Sequence, residues 1–291
     1  MTAGALERRF RQEARRRGVP RDAVEKDFAL SYALAGIFGV QQLAATLVFK
    51  GGTALRKGYF ADYRYSEDLD FTAVGELSAE ALEAAVAIAG EGCRDLLLRR
   101  GSFDVTTDRY PIRGEHPGGQ RAFRLHIQFP WQRRPLCSIK MEVTLDESVL
   151  LPPVVRPLIH DFDEPLSATM HCYALEEIVA EKLRALLQTK AHLDQRGWAR
   201  PRARDYFDLW QLLVHRGVPL DRATVGAVLP QKCRVRGVDF VTAADFFAAA
   251  VIERARLDWS QDLPRLADDV PGFDRCLSDL CPQIQQIVAL R

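Results

Sequence analysis

The sequence predicts an α/β (α+β) fold: a mixed sheet with flanking helices, followed by a helical C-terminal half. Three observations carry this. Residues 122–129 and 139–145 alternate apolar and polar side chains, the period-two signature of half-buried strands. A long helical pattern begins at Ser78, a residue type that caps helix N-termini. Beyond Ala174 the pattern is helical almost to the end.

Taken in order, residues 5–18 read as a charged helix stopped by Gly18-Val19-Pro20. Its arginine-rich side is a solvated face or an RNA-facing one. Residues 22–38 form an amphipathic helix with Val24, Phe28, Leu30, Ala35 and Phe38 among its apolar positions. The first core strand is expected over 43–49 and a helix over 53–60, with Gly51-Gly52-Thr53 between them. A second strand covers 69–74, and the helix capped by Ser78, with Glu80 in its first turn, reaches about Arg99. Strands follow over 103–109 and 122–129, where Phe123, Leu125, Ile127 and Phe129 alternate with Arg124, His126 and Gln128. In 139–145, Ile139, Met141, Val143 and Leu145 share one face and leave Lys140, Glu142 and Thr144 on the other. The proline-rich stretch 151–157 is the expected domain boundary. The resulting organisation is N-terminal helices over 1–42, a core over 43–157 and a helical domain over 158–291 that completes the site.

At 291 residues the chain has ample length for a core. Forty Lys+Arg against thirty-nine Asp+Glu give a net charge of +1, so nothing in the overall balance marks a nucleic-acid binder, although a local basic face is compatible with it. The six cysteines lack CxxC spacing and read as reduced, mostly buried thiols. The six histidines show no HExxH. No apolar run reaches membrane-spanning length and the N-terminus lacks an apolar signal core, so a cytoplasmic protein without a membrane partner is expected.

The chemistry concentrates in residues 49–72. Diglycine before a helix lets backbone N–H groups approach phosphate oxygens, because no Cβ intervenes. Asp68 and Asp70, at i and i+2 of a strand, project from one face as two ligands of a single divalent metal must. A phosphate cradle beside a carboxylate pair is the equipment for metal-dependent nucleotidyl transfer. Gly51, Gly52 and Thr53 would touch the β- and γ-phosphates, and Arg64 would pin them or pair with Glu67 or Asp62. Glu142 is the candidate third carboxylate, with Lys140 orienting it or contacting phosphate. The plainer reading of Asp68 and Asp70 is an exposed strand end, and that of Glu142 an ordinary exposed strand residue. Ser66 stands two residues before Asp68, and a phosphate on it would oppose triphosphate binding.

Farther on, Lys182 falls on the apolar stripe Leu175, Ile178, Val179, Leu186 of a helix over 174–188. An ammonium there needs a carboxylate or a phosphate, unless it snorkels past Leu175 and Leu186 to water. Asp205, on the face of Leu209 and Leu212 in a helix over 202–216, is its natural partner; Asp208 falls beside that face. The loop between these helices carries Lys190, His192, Arg196, Arg200, Arg202 and Arg204 around Trp198, which suits phosphate tracking and base stacking or simple solvation.

Lys50-Gly51-Gly52-Thr53-Ala54-Leu55 and Arg64-Tyr65-Ser66-Glu67-Asp68-Leu69-Asp70 resemble the KGGTxL and RxSxDxD pattern of the AbiEii/AbiGii toxin family, within the polymerase-beta-like nucleotidyltransferase superfamily. Glu25-Lys26-Asp27, Lys140-x-Glu142, Glu181-Lys182-Leu183 and Arg202-x-x-Asp205 fall in the order of its other motifs, so the resemblance covers about 25–215, and residues after about 216 match nothing recognisable. The resemblance implies a polymerase-beta-like mixed sheet and catalytic roles for Asp68, Asp70, Glu142, Lys182 and Asp205. It implies nucleotide contacts by Gly51, Gly52, Thr53, Arg64, Ser66, Lys140 and Lys182, and Mg2+ or Mn2+ held by Asp68, Asp70 and Glu142. The reaction implied is transfer of NMP from an NTP to an acceptor hydroxyl on RNA, a tRNA 3′ end. It would serve as the toxin of a toxin–antitoxin or abortive-infection pair with a nearby-encoded antitoxin. A small-molecule or protein acceptor, and a non-catalytic nucleotide-binding protein, are the alternatives.

Overall fold

Ala3–Arg17 (α1) and Arg21–Gly39 (α2) open the chain as helices separated at Gly18-Val19-Pro20, as the sequence predicts. The computed structural model describes residues 3–111 and 119–291. Helix α2, expected to be amphipathic, is instead buried around almost its whole circumference from Val24 to Phe38, with Glu25, Asp27 and Ser31 buried among its apolar residues. Phe10 of α1 and Phe28 of α2 meet edge-on with ring centroids 5.1 Å apart, and Phe103, Phe129 and Phe162 close the same aromatic cluster. Burial of each such ring stabilises by roughly 1.5–3 kcal/mol.

The segment expected as the first strand divides. Gln41–Thr46 is helical (α3) and only Leu47–Lys50 (β1) is extended. The turn after it enters a short helix, Gly51–Ala54 (α4), that widens into a π-helical turn over Leu55–Tyr59. Strand β2 (Asp68–Ala73) carries the aspartates, and the Ser78 side chain accepts a hydrogen bond from Ala81 N (3.1 Å) to cap Ala79–Leu98 (α5). Strands β3 (Asp104–Arg109), β4 (Gln120–Gln128) and β5 (Cys137–Thr144) follow. Where the proline-rich boundary was expected the chain forms β6 (Val154–Pro157), which pairs with β7 (Thr169–Cys172). Four residues each are too few for a readable alternation, and Pro152, Pro153 and Pro157 bracket β6, so neither strand is visible in the sequence.

These strands make one seven-stranded mixed sheet in the order β3-β4-β5-β2-β1-β7-β6. Strand β2 lies antiparallel to β1 and parallel to β5, so the aspartate strand sits between the strand ending in diglycine and the strand bearing Glu142. The apolar face of the sheet, with Phe71, Phe123, Leu125, Met141 and Val143, shares its core with α1, α2 and α5. By contact density this unit comprises Met1–Tyr173 with Leu266–Asp268; Ala174–Arg265 with Asp269–Arg291 is a second unit.

The second unit contains α6 (Leu175–Arg196), α7 (Ala203–Trp210) extended by a π-helical turn to His215, α8 (Arg222–Val235), α9 (Ala249–Gln261) and α10 (Phe273–Ala289). It is helical throughout the described residues, as expected. Five of the six cysteines are buried and all six are unpaired. No helix among the described residues is long and apolar enough to cross a membrane.

Candidate active site

Register decides the site. Strands β2 and β5 pair with Asp68 opposite Lys140 and Asp70 opposite Glu142, so Asp68, Asp70, Lys140 and Glu142 project from one face. The strand neighbourhood inferred for Glu142 is therefore present. Glu142 Oε1 accepts from Lys140 Nζ at 2.6 Å and from Gln120 Nε2 at 2.8 Å, which fixes the carboxylate beside Asp70.

The diglycine shapes the other side of this carboxylate group. Gly51 has φ +78°, and a Cβ there would stand 2.7 Å from Asp70 Oδ2. Only glycine takes that backbone conformation cheaply and admits the carboxylate. A Cβ on Gly52 would stand 2.5 Å from Arg64 Nη2. The Arg64 guanidinium thus lies over the turn, buried, with Nη1 donating to the Tyr65 carbonyl at 3.1 Å.

Thr53 is turned to a structural task. Its buried hydroxyl donates to the Asp68 carbonyl at 2.5 Å and lies 2.7 Å from Ser66 Oγ, tying the helix after the diglycine to the entry of β2. Ser66 is itself buried.

Asp68 begins β2 at an exposed position, yet its carboxyl is held above the ordinary aspartate range. Protein packed around the carboxyl is the first cause, and the charges of Glu67 and Glu142 add to it. Such a group gains from a cation brought beside it. Among the described residues no three His, Cys, Asp or Glu side chains form a ready-made metal cage. A pair of aspartates fits magnesium nonetheless, because that ion is commonly held by one or two carboxylates with substrate phosphates and waters completing its octahedron. Asp68 and Asp70 are the residues that would hold it.

A buried charge cluster that the sequence motifs touched only in passing supports this loop. Arg56 Nε and Nη2 contact Asp27 at 2.6 and 3.1 Å, and Lys57 Nζ reaches Asp27 Oδ2 at 2.8 Å; all three side chains are buried. Arg56 Nη1 also donates to the carbonyls of Ala61 (3.0 Å) and Tyr63 (2.6 Å), and its guanidinium lies 4.2 Å from the centre of the Tyr65 ring. One side chain thereby holds the chain that leads to Arg64, Ser66 and Asp68.

Lys182 and Asp205 belong to the second unit. Lys182 Nζ lies 3.0 Å from Asp205 Oδ1 and 2.6 Å from Asp208 Oδ2, so the cation on the apolar stripe has its expected partner and a second one. Asp208, placed beside the apolar face by helical spacing, is fully buried; the π-helical turn that follows α7 and the helices around it enclose that flank. Arg202 joins the group, with Nη1 3.2 Å from Asp205 Oδ2 and Nε donating to Thr189. A parallel cluster went unnoticed in the sequence: Lys232 Nζ lies 2.7 Å from Glu177 and 3.2 Å from Glu181. In the basic loop, Trp198 is 60 % exposed and Arg196 and Arg200 face solvent, while Lys190 pairs with Asp194.

A mixed sheet with a helix-entering diglycine on one strand, Asp-x-Asp on the next and a carboxylate on the third is the layout of a nucleotidyltransferase. A protein-family model described as "Nucleotidyl transferase AbiEii toxin, Type IV TA system" matches residues 32–279. The chain belongs to this family, and the toxin–antitoxin setting implies a cognate antitoxin. The match runs well past residue 216, so α8, α9 and the first turns of α10, in which no resemblance was recognised, are part of the family's domain. No curated protein matches the chain.

Proposed function

We propose that this protein transfers a nucleoside monophosphate from an NTP to an acceptor hydroxyl on RNA, a tRNA 3′ end, and that blocking translation in this way is its toxic activity in a toxin–antitoxin or abortive-infection pair. The observation that carries the reading is the register Asp70–Glu142 beside the Gly51-Gly52 turn. Arg64, lying over that turn, is positioned to meet the triphosphate's outer phosphates together with the backbone N–H groups at the start of α4. Asp68 and Asp70 would hold Mg2+ or Mn2+, which when bound neutralises charge on the phosphoryl group being transferred and on the departing pyrophosphate. Glu142, its orientation set by Lys140 and Gln120, would accept the acceptor hydroxyl's proton.

The test is label transfer. Purified protein is incubated with magnesium and each α-labelled NTP, with total tRNA or without RNA, beside Asp68→Ala/Asp70→Ala. Label on tRNA that the double variant does not produce is the expected result. Label on protein or on a small molecule instead would overturn the RNA acceptor, and absence of NTP binding by the folded protein would overturn the catalytic reading.

A further inference from the structure

The polar face of the sheet continues beyond the carboxylates. Across β5 lies β4, with Ala122 opposite Glu142 and Arg124 opposite Lys140; across β4 lies β3, with Asp108 opposite Arg124. Tyr110 extends that row, its N–H donating to the Ala122 carbonyl at 2.8 Å. The Tyr110 ring carries two cations, with the Arg124 guanidinium carbon 4.4 Å and Lys140 Nζ 5.0 Å from its centre.

Arg124 is unlike the other cations of this face. Lys140 has Glu142, and Asp108, the register partner of Arg124, sends its carboxylate to His126 Nε2 at 3.5 Å. Among the described residues Arg124 has no carboxylate partner, and its Nε is buried without a hydrogen-bond acceptor. A buried donor left over on a guanidinium that lies against an aromatic ring calls for an anion from outside.

Position says which anion. The phosphate cradle follows β1, on one side of Asp68 and Asp70; Arg124 and Tyr110 lie on the other, two strand spacings or about 10 Å from Asp68. In phosphoryl transfer the attacking oxygen and the leaving pyrophosphate stand roughly in line on opposite sides of the phosphorus. With pyrophosphate leaving toward the diglycine, the acceptor hydroxyl must come from the β4 side.

We infer that Arg124 and Tyr110 form the acceptor subsite: Arg124 takes a backbone phosphate next to the RNA 3′ end and Tyr110 offers its ring to a terminal base. The short side chain of Ala122 leaves the path to Glu142 clear. Stacking plus one phosphate contact is how single strands are held without sequence reading. This inference rests on the RNA-acceptor reading above and deepens it.

The test separates the two. Binding of a 5′-fluorescein single-stranded oligoribonucleotide with a free 3′ hydroxyl is measured by anisotropy in the absence of NTP, and KM is measured separately for RNA and for NTP. Arg124→Gln and Tyr110→Ala are each expected to weaken RNA binding and raise the RNA KM about tenfold, with the NTP KM unchanged and Tyr110→Phe close to wild type. If wild type labels RNA while both variants bind and use RNA normally, the subsite is wrong and the transferase reading stands. A rise in the NTP KM alone would place these residues on the nucleotide side and overturn the inference. If wild type neither binds nor labels RNA, the acceptor reading falls and the subsite with it. Should Arg124→Gln fail to fold, the half-buried Tyr110 carries the test through its Ala and Phe variants.

Discussion

Lys182 Nζ is closer to Asp208 than to Asp205, 2.6 against 3.0 Å, and Asp208 is the more deeply buried of the two carboxylates. The pair that helical spacing suggested is the outer half of a three-membered group. Removing one member of a buried pair leaves a charge without solvent or partner, which costs about 3–5 kcal/mol. Asp208→Asn should therefore destabilise the protein by that amount, and Asp205→Asn by less, since Asp205 is more exposed and Arg202 is also nearby. Urea denaturation followed at a helix signal decides it; equal losses would mean that burial at Asp208 is not what sets the cost.

The two glycines of the turn should fail in different ways. Gly51→Ala puts a Cβ at φ +78° against Asp70, costing about 1–2 kcal/mol of backbone strain and displacing the carboxylate proposed to hold the metal. Gly52→Ala meets chiefly the far end of the Arg64 side chain, which must swing away, and comes within 3.4 Å of Ser66 Oγ. It should keep its melting temperature within a few degrees while the KM for NTP rises several-fold. A Gly52→Ala protein with unchanged NTP KM would show that Arg64 over the turn is not part of the nucleotide site.

Asp68→Asn should trade activity for stability. The Asp68 carboxyl titrates above its unfolded value, so the folded protein holds that proton more tightly than the unfolded chain does. Stability from this group is present below the unfolded pKa of about 3.9 and is lost as pH rises through the folded one. In metal-free buffer at pH 7 the Asn variant should melt higher than wild type, and the gap should shrink as pH falls. A variant less stable than wild type at neutral pH would refute the cost assigned to burying the Asp68 carboxylate.

Asp27 behaves in the opposite sense. Burial alone would raise its pKa, but Arg56 and Lys57 hold the carboxyl below the ordinary range. Its contribution to stability is complete above about pH 3.9 and declines as the solution is acidified toward the folded pKa. Asp27→Asn strands two buried cations and should cost about 3–5 kcal/mol at pH 7. The difference from wild type, measured as urea midpoints, should narrow as pH is lowered below 4.

The sequence exposes those features whose signal is local. Alternation in 122–129 and 139–145 marks β4 and β5, and the side-chain period of β5 alone puts Glu142 opposite its apolar face. Gly51-Gly52 and Asp68-x-Asp70 are legible because their spacing is itself the chemistry. The short apolar run 43–49 is ambiguous, since a few apolar residues fit a helical turn as well as a strand, and α3 takes half of it. Asp208 and Lys232 were missed for another reason. Whether a charge beside an apolar stripe is buried depends on which helix packs over that flank, and this is absent from the period of the residue's own helix. Arg124 read as an ordinary polar strand position; only the register of three strands shows that it shares a face with Asp68 and Lys140, and among the described residues its Nε has no acceptor.

The short return of Leu266–Asp268 to the sheet-bearing unit has a consequence in time. Tyr65, between Arg64 and Ser66, donates its N–H to the Leu266 carbonyl at 2.8 Å, and Leu266 is buried in the same core. The loop that delivers Asp68 is therefore latched by a residue made long after the loop itself. Chains emerge from the ribosome N-terminus first, at about 5–20 residues per second. A nascent chain carries Asp68, Asp70 and Glu142 while still lacking this latch. Asp68 and Asp70 are therefore on the emerging chain long before the loop that presents them can be latched.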